Sequence, residues 1–95
     1  CPSGRLFEAT ACGCPVLTDV WPGLERFFEP GREILLARTT EDALAALDLG
    51  EAELRRIAEA GRARTLAEHT SDRRAAELID LLQAAYDRAP VSMEA

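Results

Sequence analysis

The sequence predicts an α/β fold built on a short parallel sheet. Three observations carry that reading. Two brief apolar runs, 15–18 and 33–37, are each bounded by glycine and proline. Helical periodicity precedes the first run and follows the second. The early alternation of helix and strand requires crossover connections, and those favour parallel strands.

The first helix is expected over 4–12. Ser3 can cap its N-terminus, and Gly13 is the natural stop because it accepts the left-handed conformation. Pro15 then forces Cys14 into extended backbone. Val16, Leu17 and Thr18 form the first strand. Their unbroken apolar character predicts burial on both faces. Pro22-Gly23 signals a turn, and 25–28 reads as one helical turn ended by Pro30-Gly31. The second strand is expected near 33–37. Thr39 or Thr40 caps a helix over 40–47, with Glu41 and Asp42 favourably placed in its first turn.

Two longer helices complete the chain. In 51–67 an inward stripe runs through Leu54, Ile57, Ala58, Gly61 and Thr65. Thr70 or Ser71 caps the last helix, 71–88, whose apolar stripe is Ala75, Leu78, Ile79, Leu82, Ala85 and Tyr86. Pro90 stops it, and 91–95 reads as a frayed tail. Two strands alone do not make a stable doubly wound sheet. Further strands are expected from upstream sequence or from a partner chain. Position 1 is not Met and already lies inside a dense motif, so the 95 residues read as part of a longer polypeptide.

Composition narrows the function. Net charge is −6, and all 11 basic residues are arginine. An acidic chain with no basic stripe is poorly suited to a nucleic-acid backbone. No apolar run approaches the length of a membrane span. The three cysteines, Cys1, Cys12 and Cys14, are odd in number and lack a second cluster. They suggest neither a disulfide framework nor a zinc site, but half-buried thiols in a reducing, cytoplasmic setting. No metal is expected.

Two segments carry a resemblance. They are R-L-F-E-A-x-A-C-G-x-P-V-L-T-D from Arg5 and G-L-E-x-F-F-E-P-G-x-E-I-L from Gly23. A third, R-x-R-x-L-A-E-H-T-x-x-x-R, runs from Arg62 to Arg74. Together they resemble the C-terminal, donor-binding domain of group 1 GT-B glycosyltransferases, most closely the branch related to spore maturation protein CgeB. The resemblance implies a partial Rossmann-like domain over 1–95. It places the upstream strands and an N-terminal acceptor domain elsewhere in the same polypeptide. It also implies a hexosyltransferase-type parent enzyme that uses a nucleotide-sugar donor and no cofactor.

In that family a glutamate opens the segment E-A-x-A-x-G-x-P-V, which Glu8 to Val16 matches. The resemblance implies that Glu8 accepts hydrogen bonds from the donor ribose. A carboxylate suits a vicinal diol because it offers two acceptor oxygens. Taken alone, Glu8 reads as a solvated helix residue. The resemblance further implies that Ser3, Gly4, Arg5 and Leu6 form the turn facing the diphosphate, where free N–H groups and the helix dipole favour an anion. Ser3 serves equally as a cap. Arg5 either adds charge to the site or pairs with a carboxylate. A companion family glutamate would fall before Cys1. Gly23 and Glu25 match a shape-forming loop of the family.

The remaining candidates read as scaffold. Phe7, Phe27 and Phe28 suit a core. Glu29 and Glu33 suit solvent. His69 suits a helix break better than a catalytic base, since no nucleophile or carboxylate partner for it is evident. Trp21 is left between covering the sheet edge and lining a pocket. The 95 residues alone are expected not to catalyse sugar transfer. The alternative to an enzyme part is a non-catalytic helical α/β module for packing or partner binding.

Overall fold

The computed structural model describes residues 3–88. Cys1, Pro2, the stop at Pro90 and the tail 91–95 lie outside those residues. The element order is α1 (Gly4–Ala11), β1 (Leu17–Thr18), a 3-10 turn (Leu24–Arg26), β2 (Leu35–Leu36), α2 (Thr40–Leu47), α3 (Glu51–Glu68) and α4 (Ser71–Arg88). The α/β class holds, with four helices and a two-strand parallel sheet consistent with a partial Rossmann-like domain.

Local chemistry sets the boundaries. Ser3 caps α1, its Oγ accepting from the Arg5 N–H at 3.1 Å. The other end closes in a Schellman motif. The Gly13 N–H donates to the Thr10 carbonyl at 3.0 Å and the Cys14 N–H to the Ala9 carbonyl at 3.1 Å. Gly13 makes this possible with φ +80°. Thr39 caps α2, accepting from the Asp42 N–H at 3.2 Å, while the Asp42 carboxylate accepts from the Arg38 N–H at 2.9 Å. Thr70 performs the same service for α4, accepting from the Arg73 N–H at 3.2 Å.

The strands pair Leu17 with Leu35 and Thr18 with Leu36. Flanking bonds extend the pairing, from the Leu35 N–H to the Val16 carbonyl and from the Ala37 N–H to the Thr18 carbonyl, both at 2.9 Å. The regular ladder is shorter than the apolar runs suggested. Nor is β1 buried on both faces, because Leu17 is 41% exposed. Among the described residues β1 has a neighbour on one side only.

Leu24, Phe28 and Ile34 form the centre of the core, with Leu6, Phe7, Val16, Trp21, Phe27 and Leu36 packed around it. Burying a side chain of this size contributes roughly 1.5–3 kcal/mol. The expected stripe of α3 faces inward: Ile57, Ala58, Gly61 and Thr65 are buried, and Leu54 is half-buried. α3 lies against α1. It also runs close to the segment before β2, where a Cβ on Gly61 would stand 2.6 Å from the Glu33 carbonyl oxygen.

Two further expectations are corrected. Cys12 and Cys14 are exposed, not half-buried, because they flank the Schellman glycine on the outside of the turn. Glu33 does not face solvent. Its side chain is 12% exposed, and Oε1 accepts from the Glu29 N–H at 2.7 Å and from Arg64 Nη1 at 3.2 Å. Glu29 is exposed as expected. The apolar stripe of α4 lies open, with Leu78, Ile79, Leu82 and Tyr86 all exposed. α4 is anchored at its first turn by Arg74, which donates to the Glu68 carbonyl and to His69.

Candidate functional site

Because α1 precedes β1 through a tight turn, helix and strand run in opposite directions. The N-terminus of α1 and the C-terminal end of β1 therefore meet at one end of the molecule. In open α/β sheets ligands bind at that end of the strands. A groove of about 540 Å³ lies there, a size usual for a small-molecule site. Ser3, Arg5, Leu6 and Ala9 form its near wall. Val16, Leu17, Thr18, Asp19 and Trp21 form its floor and far wall.

The structure thus brings Ser3, Arg5 and Leu6 together at one mouth. Ser3 is held as the cap, and the Leu6 N–H donates to the Ser3 carbonyl at 3.1 Å. Gly4 is exposed, and nothing lies within 4 Å of where its Cβ would be. An anion can approach this backbone closely. Arg5 is exposed and has no ion-pair partner among the described residues. Of its two expected roles, the pairing with a neighbouring carboxylate is therefore absent here.

Glu8 is not in the groove. Successive helical residues are about 100° apart, so a helix that turns Ala9 into the groove turns Glu8 to its flank. There it shares an exposed face with Gly4, one turn away. The orientation is fixed from behind. Thr10 is 1% exposed, and its Oγ1 lies 2.6 Å from Thr65 Oγ1 on α3. The same Thr10 hydroxyl donates to the Leu6 and Phe7 carbonyls at 3.0 and 3.1 Å. Glu8 points away from that clamp, and its carboxylate is open to solvent.

Trp21 takes the pocket-wall role left open in the sequence. It packs on Phe27 with ring centroids 6.1 Å apart. Thr18 ends β1 and Asp19 follows it directly, at the groove's far side. Thr18 Oγ1 donates to Asp19 Oδ1 at 3.2 Å.

His69 is structural. Nε2 lies 2.6 Å from the Phe27 carbonyl oxygen, and Nδ1 lies 2.6 Å from Arg74 Nη2. A carbonyl only accepts and a guanidinium only donates. An Nε2–H that donates to the carbonyl and an Nδ1 that accepts from the guanidinium satisfy both contacts, so both ring nitrogens are engaged. Phe7, Phe27 and Phe28 pack around it at centroid distances of 5.2–5.6 Å.

A second groove, about 420 Å³, lies at the opposite end of α1 between Gly13, Pro15 and α3. It faces the carbonyl end of the helix, where the dipole repels anions. Three of its charged side chains are engaged: Arg55 pairs with Glu51, and Arg62 Nε donates to the Ala11 carbonyl at 3.1 Å. Among the described residues no cluster of three or more His, Cys, Asp or Glu is placed to hold a metal ion. Nor is any described helix long and apolar enough to cross a membrane.

A family model described as glycosyl transferase-like matches residues 1–80. No curated protein and no solved structure matches the chain.

Proposed function

The chain belongs to the glycosyl transferase-like family, and from that premise we propose that it forms part of the nucleotide-sugar site of a hexosyl-transferring enzyme. The observation that supports this most is the open N-terminus of α1 beside an unpaired arginine, at the ligand-binding end of the sheet. In this reading the diphosphate lies over the Ser3–Leu6 turn. The helix dipole at that end receives its charge, while the Arg5 and Leu6 N–H groups donate to Ser3. Gly4 allows the close approach, and Arg5 adds a cation. Glu8, one turn along on the same exposed face as Gly4, accepts from the ribose hydroxyls. The chemistry assigns no step to a metal or a cofactor.

Transfer requires stabilisation of the charge that develops on the leaving diphosphate. Among the described residues only the α1 N-terminus and Arg5 offer it. Donor binding without turnover is therefore the activity expected of these 95 residues, completed by an acceptor-binding domain of the same polypeptide. The test is titration of UDP-, GDP- and ADP-sugars against the protein and its Glu8→Ala variant. Saturable binding that weakens in the variant supports the assignment. Binding unchanged by Glu8→Ala removes the ribose role, and no binding by any donor removes the donor site.

The open apolar row on α4 favours a second reading, a non-catalytic module that packs against a partner. The same titration separates the two, because such a module binds no nucleotide sugar.

A further inference from the structure

A nucleotide sugar has a fixed linear order: base, ribose, diphosphate, sugar. With the diphosphate over the start of α1 and the ribose at Glu8 on one flank, the sugar falls on the other flank. That flank is the groove. Its chemistry changes along its depth. The near wall carries Arg5, the groove's single cation. The floor is apolar, with Val16 and Leu17, and Leu6 and Ala9 keep the near wall apolar beside Arg5. The far wall is Trp21, braced by Phe27 at 6.1 Å and 49°. Beside it Asp19 is exposed, with one carboxylate oxygen oriented by the Thr18 hydroxyl at 3.2 Å.

We propose that Trp21 and Asp19 form the subsite for the transferred sugar of the donor. This rests on the donor-binding reading given above. A pyranose has an apolar C–H face and a rim of hydroxyl donors. The indole presents a flat apolar surface to the first, and an ionised carboxylate, which only accepts, suits the second. A second phosphate is disfavoured at the same place, because Asp19 repels it. The linear order of the ligand and the polarity of the groove thus agree on where the sugar lies.

The experiment compares each nucleoside diphosphate with its glycosylated form, using calorimetric titration of the intact chain. Asp19→Ala tests the carboxylate without disturbing the core, since the side chain is exposed. Trp21→Phe keeps the aromatic packing on Phe27 and reduces the indole surface. The expected result is a loss of about tenfold or more in nucleotide-sugar affinity for Asp19→Ala. A smaller loss is expected for Trp21→Phe, and the bare nucleoside diphosphate is expected to bind both variants as it binds the parent. Equal loss for both ligands places the base or ribose at this wall and overturns the assignment. Unchanged affinity for both ligands overturns it too, and turns attention to the acceptor. If the parent chain binds neither ligand, the donor reading itself falls and this one with it. That outcome differs from the other two.

Discussion

The hydroxyls of Thr10 and Thr65 lie 2.6 Å apart in the interior, joining α1 to α3. Because the Thr10 hydrogen is directed to the Leu6 and Phe7 carbonyls, Thr65 donates to Thr10. This contact decides which way α1 faces, and so which residues reach the groove.

Removing the clamp destabilises the fold. Thr65→Val is expected to cost about 1 kcal/mol, one net hydrogen bond. Thr10→Val costs at least as much, because it removes the acceptor of the Thr65 hydroxyl. The double variant is expected to lose less than the sum of the two. Denaturant midpoints of the three variants check this, and strict additivity would show that the two hydroxyls act independently.

Gly61→Ala tests the close approach of α3 to the segment before β2. In an exposed helix this change stabilises by about 1 kcal/mol. Here the new Cβ meets the Glu33 carbonyl oxygen at 2.6 Å, a backbone atom. Overpacking of this kind costs about 1–3 kcal/mol, so the net change in thermal midpoint is expected to be downward. A rise in midpoint would mean that α3 and the Glu33 segment separate freely.

Much of this architecture is local and was legible in the sequence. Ser3, Gly13, Thr39 and Thr70 mark helix ends through their own side chains or φ preference, and the α3 stripe follows from periodicity alone. What escaped depends on distant partners. Glu33 looks solvated until Arg64, 31 positions away, closes over it. Glu8 was legible as a motif residue, but its flank position depends on which face of α1 meets Thr65. The openness of α4 depends on what surrounds it, which periodicity does not encode.

Ser3→Ala separates two duties of one residue. Loss of the cap is expected to cost about 1 kcal/mol of stability. Loss of order at the α1 N-terminus is expected to weaken nucleoside diphosphate binding as well. Ser3→Asp keeps the cap and restores stability, but sets a negative charge where the diphosphate lies. Melting curves and titrations of the two variants should therefore diverge. Binding by both variants equal to that of the parent would place the diphosphate elsewhere.

Arg74 holds the base of α4. Its guanidinium lies 5.9 and 5.7 Å from the centroids of Phe7 and Phe27 and also donates to His69 and the Glu68 carbonyl. Arg74→Ala is expected to cost about 1–3 kcal/mol from these contacts together. Hydrogen exchange should speed up along α4 in that variant. Glu77→Ala removes only the exposed pair with Arg74, at 2.7 Å, and is expected to change stability by less than about 0.5 kcal/mol. Similar exchange in the two variants would mean that the aromatic contacts do not anchor the helix.

The Thr10–Thr65 pair spans 55 positions of sequence. Loop closure of that length comes late relative to local helix formation. α1 can therefore coil early, through its own cap and Schellman turn, yet it faces no particular direction until α3 arrives. The aiming of the groove thus hangs on one long-range contact: a chain with every helix already formed still has no ligand geometry until those two threonines meet.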